Sequence, residues 1–347
     1  MKIITAKNVN HALEDALWWL RVGGEYTSSR NGRVLMSKTP VITCYKNPMQ
    51  RVMFSALRDA NPFFHMMESL WMLAGRRDVA FPSRYAKQIA EYSDNGKSLY
   101  GAYGHRWRKW FSTDQLMDIV NMLKQDPSTR RAVLAMWDAY LDLPRVHIVK
   151  DMPCNTHIYF NAALGRLDMT VCCRSNDAVW GAYGANAVHM SMLHQFIAES
   201  AGIPMGMYYQ FSNNFHVYID RPDVQRLLNE KNGDVLYRAD DRYATNHIMP
   251  VQLIRTAQGE SMDNFMADLR KFMDDPDCDV VYATEFFGST VVPMQVAHTA
   301  HKQGYTENAI EAAKHIVAED WRIACTEWLG RRLERSELHG RPLCAAS

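Results

Sequence analysis

Residues 156–173 have the sequence THIYFNAALGRLDMTVCC, in which two segments of alternating side chains, Thr156–Asn161 and Arg166–Cys173, flank Leu164-Gly165. A period of two on both sides of a glycine predicts a β-hairpin. Beyond the hairpin, Ala187–Ala201 predicts a long helix and Met207–Phe211 a further strand. Strands and long apolar helices therefore follow one another without a regular βαβ repeat, which favours an α+β fold.

The segments that flank this region show the same mixture of elements. Polar residues with two arginines occupy Tyr26–Arg33, so we expect an exposed turn that is able to meet an anion. Charged residues with apolar residues at intervals occupy Glu307–Leu338, a candidate helical accessory element. The periodicity predicts helices over Asn8–Leu20, Asn61–Ala74 and Thr113–Leu123, and a buried strand over Ala132–Trp137.

The composition excludes several classes of protein. The 347 residues are 47% hydrophobic and 22% charged with a formal net charge of +1, which excludes a disordered chain and argues against a surface built for nucleic acid. No segment approaches the ~18 consecutive apolar residues of a membrane helix, and the N-terminus lacks the apolar core of a signal peptide. The seven cysteines form no CxxC pair and no zinc-like spacing. We expect a cytoplasmic protein without a metal, a membrane partner or a need for nucleic acid.

One cysteine is a candidate nucleophile. Cys154 follows a rigid proline in Asp151–Asn155, a turn that leads into a strand. A lone cysteine is more often a packed, inert thiol. However, Arg130, Arg131 and Arg174 lie on or beside predicted strands, where an arginine is suited to hold an anion or to lower the pKa of a thiol. A thiolate with these arginines indicates covalent chemistry on a phosphorylated substrate.

Three further sites leave two interpretations each. Glu68, the only acid in its apolar helix, is either exposed or a buried carboxyl group with a raised pKa. Asn186 is first expected to cap the following helix, but its amide could also bind the edge of a base. His216 and Tyr218 alternate as on a strand and either face a site or are hydrogen-bonded core residues.

Residues 30–220 resemble the thymidylate synthase family, which includes phage-type pyrimidine nucleotide hydroxymethylases. Seven blocks in the family's order carry the resemblance: ESLWMLAG from Glu68, YGHRWR from Tyr103, DPSTRR from Asp126, Pro153-Cys154, RSND from Arg174, Asn186, and HVY from His216. The resemblance implies a three-layer α+β fold with a large mixed sheet. It also implies residues 1–220 as the catalytic core, with 221–347 supplying the rest of the core and a helical extension within one domain.

The resemblance implies an obligate homodimer with shared active sites. Members of the family transfer one carbon from 5,10-methylenetetrahydrofolate to C5 of a pyrimidine nucleotide. C5 is a poor nucleophile until a thiolate adds at C6, so Cys154 is the implied nucleophile. Arg174 stabilises the thiolate and binds the phosphate, and Arg130 and Arg131 reach that phosphate from the other subunit.

The remaining roles also follow from the resemblance. Arg30, with Arg33 as the alternative, closes on the phosphate, which Ser175 also contacts. Glu68 organises water and protons, and Tyr103 assists removal of the C5 proton. The other implied contacts are His216 and Tyr218 to the sugar hydroxyl, Asp177 and Asn186 to the pyrimidine and the folate, and Ile89 and Tyr92 to the folate.

Five departures from the methylating members favour addition of water over hydride transfer. Asn155, an implied catalytic residue, stands next to the nucleophile where the methylating members have histidine. Asn214 stands where they have aspartate. Paired tryptophans that exclude water are missing from Ile89–Tyr92. The loop Trp180–Asn186 is one residue longer, and Pro342–Ser347 lacks the short hydrophobic tail that covers the substrate.

Asn186 favours uracil, because an amide can donate to O4 and accept from N3–H, whereas cytosine-specific members have aspartate there. We therefore expect 5-hydroxymethyl-dUMP as the product, in a phage-like DNA-modification role. The alternatives are a thymidylate synthase with an atypical tail, a dCMP hydroxymethylase, and a non-catalytic nucleotide- or RNA-binding member. Retention of Cys154, Arg174 and Glu68 argues against the last, because binding alone needs no nucleophile.

Overall fold

The computed structural model describes residues 1–229, 242–245 and 247–338. Its strands are β1 (Lys2–Ala6), β2 (Gly24–Ser29), β3 (Gly32–Ser37), β4 (Val41–Tyr45), β5 (Val133–Ala135), β6 (Asn155–Asn161), β7 (Leu167–Asp177) and β8 (Met205–Tyr218). Its α-helices are α1 (Val9–Gly23), α2 (Pro62–Leu73), α3 (Ala80–Ser83), α4 (Tyr103–His105), α5 (Gln115–Gln125), α6 (Ala139–Asp142), α7 (Asn186–Ala201), α8 (Pro222–Asn229), α9 (Arg242–Thr245), α10 (Met262–Asp274), α11 (Val292–Lys302), α12 (Thr306–Ala313) and α13 (Glu319–Leu338). Short 3₁₀-helices span Lys87–Tyr92, Leu143–Arg145 and Thr256–Gln258, and π-helical turns span Arg106–Trp110, Ala178–Ala185 and Phe287–Val291.

The strands of the described ranges form one mixed sheet in the order β1-β4-β8-β7-β6-β5, which the β2–β3 hairpin joins by pairing of β3 with β8. The β1–β4 and β7–β8 pairs are parallel, and the other pairs are antiparallel. The long strand β8 pairs with β4 through its first half and with β3 through its last residues. The prediction of an α+β fold with a large mixed sheet and long apolar helices is confirmed.

Strands β6 and β7 form the hairpin that the alternating pattern predicts, with Ile158 opposite Val171. Gly165 in the turn has a φ of 78°, a conformation that a residue without Cβ adopts at little cost. The register shifts between Asn155 and His157. This irregularity directly follows Cys154, and such bulges re-aim the strand at its end.

Helix α7 lies at the centre of the helical layer, in contact with α2, α5 and β8. Every residue of α7 except Glu199 and Ala201 is buried. The predicted helices at α1, α2, α5 and α7 are confirmed. The side chains of Asn8 and Asn61 cap α1 and α2, as expected for asparagine before a first helical turn.

Two predictions of local structure need correction. Tyr26–Arg33 is exposed as expected but is not a turn throughout: most of it belongs to the strands of the β2–β3 hairpin, with Arg30 and Asn31 at the turn. Among the described residues strand β2 pairs with β3 alone, and its exposed Thr27, Ser28 and Ser29 gave no apolar alternation. The buried strand over Ala132–Trp137 is only the three residues of β5, and Val133 is 41% exposed because its side chain lies on an uncovered face of the sheet, opposite the equally exposed Tyr159.

The charged C-terminal segment forms α12 and α13, and α13 packs on α2. The indole ring of Trp328 meets the ring of Phe63 edge-on, with centroids 5.6 Å apart. This contact brings α13 over the helix that carries Glu68. The tail Pro342–Ser347 lies outside the described residues. No helix in the part of the chain that the structure describes combines the length and apolarity needed to cross a membrane.

Candidate active site

A cavity of 1120 Å³ opens between α2, α7, the ends of β7 and β8, and α13. Ten of the predicted site residues line it, contributed by seven separate segments of the chain: Glu68, Ile89, Tyr92, Tyr103, Cys154, Ser175, Asp177, Asn186, His216 and Tyr218. Five others do not line it: Arg30, Arg130, Arg131, Asn155 and Arg174. The predicted residues therefore divide into a group in the cavity and a group around or beneath it.

Cys154 directly precedes β6, and hydrogen bonds from the backbone to the side chain of Tyr103 hold it there. Its N–H donates to the hydroxyl oxygen of Tyr103 at 3.2 Å, and the N–H of Asn155 donates to the same oxygen at 3.3 Å. Burial raises the pKa of the Cys154 thiol, and the nearby guanidinium of Arg174 opposes this by stabilising the thiolate. The site thus contains a thiol whose ionisation depends on a neighbouring cation.

The guanidinium of Arg174 is fixed by backbone carbonyls. Its Nε donates to the oxygen of Pro153 at 2.9 Å and its Nη2 to the oxygen of Met152 at 3.1 Å. Nη2 also lies 3.9 Å from Sγ of Cys154. Because the side chain is exposed, its remaining donors can bind an anion that enters beside the thiol.

The carboxyl group of Glu68 on α2 is buried, not exposed to solvent. Burial, with a smaller contribution from the charge of Asp151, raises its pKa to about 8. His189 on α7 places Nε2 at 3.2 Å from Oε2 of Glu68, and burial lowers the pKa of His189 to about 3. The two groups therefore form a pair that carries no net charge at neutral pH.

Asn186 does not cap α7, contrary to the first expectation. Ala185 occupies the cap position, and Asn186 is the first helical residue. Its Nδ2 donates to Oδ1 of Asn176 at 3.1 Å, and its Oδ1 accepts from Nδ2 of Asn155 at 3.4 Å. Each end of the amide keeps one free position, a donor and an acceptor, for a ligand in the cavity.

The amide of Asn186 is the middle of a longer chain of buried hydrogen bonds. At one end, the Cys173 thiol lies 2.7 Å from Oδ1 of Asn155. At the other end, Nδ2 of Asn176 donates to Gln210 Oε1 and to Ser212 Oγ, both at 3.0 Å. These partners use both donors of Asn176, so its oxygen is directed to Asn186.

Asp177 and Trp180 place two unpartnered polar atoms in the cavity wall. Oδ1 of Asp177 accepts from the backbone N–H of Trp180 at 2.5 Å, whereas Oδ2 is buried without a hydrogen-bond partner among the described residues. The indole Nε1 of Trp180 is equally buried and unpaired within those residues. Burial raises the pKa of Asp177. The wall therefore offers an acceptor and a donor to a bound molecule.

His216 and Tyr218 project from the end of β8 into the cavity. Nδ1 of His216 lies 2.8 Å from Oδ1 of Asn214, and the two rings of His216 and Tyr218 meet edge-on with centroids 5.2 Å apart. Burial lowers the pKa of His216, and the carboxylate of Asp177 partly offsets this. Asn214, a departure noted in the sequence, thus orients the imidazole.

The exposed arginines differ in how they relate to the cavity. Arg30 at the β2–β3 turn is close enough for its charge to lower the pKa of Cys154. Arg33 instead pairs with Asp220 at 2.7 Å. Arg130 and Arg131 are exposed just before β5 and do not line the cavity.

Several lining residues were not found by sequence reasoning. His189, Asp151 and Arg58 come from segments with no local polar pattern, so only the folded chain brings them to the cavity. Arg332 and Arg335 come from α13, and Asp59 binds both of them, at 2.7 Å and 3.2 Å. The Arg331-Arg332 pair in an otherwise amphipathic segment was the one available signal. Within the described ranges, no group of three or more His, Cys, Asp or Glu side chains could hold a metal ion.

The chain is similar to proteins of one family. The family model described as Thymidylate synthase matches residues 21–262. A chain of Pseudomonas phage M6 named deoxyuridylate hydroxymethyltransferase is 44% identical over 342 residues, 96% of this chain and 95% of the relative. A chain of Bacillus phage SP01 with the same name is 33% identical over 272 residues, 71% of each. A crystal structure of thymidylate synthase from T4 phage has a TM-score of 0.50 at 18% identity, covers 64% of this chain and 81% of that chain, and supports the fold alone.

Proposed function

The chain belongs to the thymidylate synthase family, and from that premise we propose that it transfers one carbon from 5,10-methylenetetrahydrofolate to C5 of dUMP and adds water, giving 5-hydroxymethyl-dUMP. The observation that carries the proposal is the near-full-length similarity to a phage chain named deoxyuridylate hydroxymethyltransferase. That similarity extends past residue 262 into the helices that cover the cavity. The phage origin of the relatives supports a role in the cytoplasm of an infected host.

Three groups of residues bind the phosphate, the sugar and the base of the nucleotide. Arg174 and Ser175, with Arg30 from the hairpin turn, bind the phosphate. His216 and Tyr218 hold the sugar hydroxyl. Asn186 contacts the uracil edge, because its free donor and acceptor match O4 and N3–H.

The cavity wall also fits a folate. The unpartnered Oδ2 of Asp177 is an acceptor for the N–H groups of a pterin ring, and the unpartnered Nε1 of Trp180 is a donor beside it. Ile89 and Tyr92 line the same wall and supply apolar contact area. When bound, the folate supplies the one-carbon unit; Asp177 orients it against the pyrimidine.

Cys154 starts the reaction by adding its thiolate to C6, which moves electron density to C5. C5 then forms the new carbon–carbon bond, and its proton leaves with the help of the Tyr103 hydroxyl, which lies against the nucleophile's backbone. The transferred carbon would then separate from the folate nitrogen, which keeps the electron pair of the broken bond, and the pyrimidine would carry an exocyclic methylene. Water adds to that methylene under the control of Glu68, and return of the electron pair to the ring expels Cys154.

We propose in addition a homodimer in which Arg130 and Arg131 bind the phosphate held by the other subunit. The support is their exposure outside the chain's own cavity, beside the exposed cross-strand pair of Val133 and Tyr159. Mixing Cys154→Ala protein with Arg130→Ala/Arg131→Ala protein should restore part of the activity, because one hybrid site is then intact. A mixture of Cys154→Ala with Glu68→Gln, whose residues belong to the same site, is the control and should stay inactive. Equal behaviour of the two mixtures would exclude shared sites.

The test of the proposed function is trapping with 5-fluoro-dUMP, whose fluorine cannot leave as the C5 proton does. With 5,10-methylenetetrahydrofolate, the wild-type protein should form a covalent ternary complex, detected as added mass on the peptide that contains Cys154. Cys154→Ala should bind the nucleotide without forming the complex. A wild-type protein that binds both ligands and forms no adduct would instead be a binding member of the family.

A further inference from the structure

We propose that Asp151 is the general base of water addition: its carboxylate takes a proton from the water that attacks the exocyclic methylene. This inference rests on the proposed function and deepens it. It gives a role to a partly buried acid in the cavity wall to which neither the sequence pattern nor the family resemblance assigned one.

The hydrogen bonding of Asp151 leaves one of its carboxylate oxygens available. Oδ2 accepts from the backbone N–H of Gly101 at 2.8 Å. Among the described residues, Oδ1 has no hydrogen-bond partner and the carboxylate forms no ion pair, and Oδ1 stays open to solvent. Because Asp151 lines the cavity that contains Cys154, Oδ1 can accept a hydrogen bond from a water molecule in that cavity.

The turn that carries Asp151 places it beside the nucleophile. Tyr103, two residues after the glycine that binds Oδ2, accepts the backbone N–H of Cys154 at 3.2 Å. Sγ of Cys154 lies 3.9 Å from the carbonyl oxygen of Met152, the residue next to Asp151. Burial, and in addition the charge of Asp151, raises the pKa of both Cys154 and Glu68. The carboxylate is therefore close to both groups that act on the pyrimidine.

Three neighbouring side chains in the cavity are poorly suited to accept the water proton. Burial raises the pKa of Glu68 to about 8 and that of Tyr103 well above its usual value, so both already hold a proton at neutral pH. Burial lowers the pKa of His189 to about 3, which makes it a weak base. Burial also raises the pKa of Asp151, but its backbone hydrogen bond and the guanidinium of Arg106 lower it. Asp151 is therefore the carboxyl group that ionises first, and Glu68 remains a hydrogen-bond donor that can orient the water.

The proposed step is balanced in atoms and electrons. The water oxygen forms a bond to the methylene carbon, and its O–H bond breaks as the proton moves to Oδ1 of Asp151. That proton becomes acidic as the C–O bond forms, so a carboxylate is a sufficient base. The electron pair of the exocyclic double bond moves through C5 to O4. It then returns to form the C5–C6 double bond as the C6–S bond breaks, which releases the Cys154 thiolate. Asp151 gives its proton to that thiolate or to solvent, and no oxidant or reductant is needed.

Asp151→Asn tests this role, because an amide keeps an acceptor for the N–H of Gly101 but is not a base. The readouts are tritium released from 5-tritiated dUMP in the first turnover, hydroxymethyl product by mass spectrometry, and capture of the methylene by 2-mercaptoethanol. Each is expressed per active site, counted by adduct formation with 5-fluoro-dUMP. We expect tritium release within about threefold of wild type, hydroxymethyl product reduced about 10²-fold, and a matching rise in thiol adduct, since proton transfer by a positioned side chain contributes ~10²–10⁴-fold. Asp151→Glu, which keeps a carboxylate, should restore part of the product.

Asp94→Asn is the matched control. The charge of Asp94 raises the pKa of Asp151, and its carboxylate accepts the N–H of Lys150 at 3.2 Å without lining the cavity. The control removes a nearby negative charge and should leave the ratio of hydroxymethyl product to tritium release unchanged. If Asp151→Asn keeps that ratio at the wild-type value, or gives as much product as Asp151→Glu, Asp151 is not the base. If the wild-type protein itself yields no hydroxymethyl product, the proposed function fails instead, whatever the variants do.

Discussion

The hydroxyl oxygen of Tyr103 accepts a hydrogen bond from the backbone N–H of Cys154 at 3.2 Å. The same oxygen accepts from the N–H of Asn155, so one phenol fixes the backbone on both sides of the Cα of the nucleophile. Burial raises the pKa of Tyr103 well above its usual value, which keeps the phenol protonated. Its hydrogen can be donated to the side chain of Cys154, and this contact lowers the pKa of the thiol against the larger effect of burial.

Tyr103→Phe should remove both functions at once. Two partly buried N–H groups lose their acceptor, which should lower the free energy of unfolding by about 1–3 kcal/mol. The Cys154 thiol also loses its alignment, so adduct formation with 5-fluoro-dUMP should slow at least tenfold, or ~1.4 kcal/mol of barrier. Urea unfolding and the rate of adduct formation measure the two effects. Unchanged adduct formation in a destabilised protein would limit Tyr103 to a structural role.

Arg174→Ala should shift the ionisation of Cys154 to higher pH. The guanidinium stabilises the thiolate and so lowers the thiol pKa against the effect of burial. Its loss raises that pKa, and the pH profile for alkylation of Cys154 by iodoacetamide should move upward, as followed by mass of the Cys154 peptide. Arg174→Lys keeps the charge and should move the profile less. Identical profiles for wild type and Arg174→Ala would show that the charge does not reach the thiol.

Glu68→Gln should change how stability depends on pH. The folded-state pKa of Glu68 is raised to about 8, above the value of an unfolded chain, so the folded state binds one more proton between the two values. Wild-type stability from this group is present at low pH and falls as pH rises towards 8. Thermal unfolding at pH 5 and pH 8 should therefore show Glu68→Gln gaining on wild type at the higher pH. A constant difference between the two proteins would mean that Glu68 ionises normally.

Asn186→Asp should shift the preference from dUMP towards dCMP. An aspartate accepts hydrogen bonds, which suits the amino group of cytosine, whereas the amide supplies the donor that O4 of uracil needs. The measurement is kcat/KM for each nucleotide with wild-type and variant protein. An unchanged ratio would show that another residue discriminates between the bases, and Asn176→Asp, which lies one hydrogen bond further along the amide chain, would be the next variant.

The sequence allowed the prediction of elements whose pattern is local. Alternation in β6 and β7 and the apolar run of α7 follow from burial of one strand face and of a whole helix, so they can be recognised without knowing their partners. Strand β2 could not be recognised, since both of its faces are exposed and it exists through pairing with β3.

The candidate site was predictable only where residues stand in family motifs. Cys154, Glu68 and Asn186 belong to such blocks, and the structure brings them to one cavity. The environment of each was not predictable: the imidazole of His189 and the amide of Asn176 reach their partners through tertiary packing. Likewise, the sequence around Arg332 is that of a solvated helix face, and its ion pair with Asp59 arises only in the folded chain.

In the proposed reaction, water and not hydride adds to the exocyclic methylene and completes the product on dUMP. Mass spectrometry of the nucleotide after incubation with dUMP and 5,10-methylenetetrahydrofolate, with absorbance recorded for dihydrofolate, tests it most directly. We predict 5-hydroxymethyl-dUMP without dihydrofolate. A methylated nucleotide with one dihydrofolate per product would contradict the claim and identify the reaction as that of a thymidylate synthase.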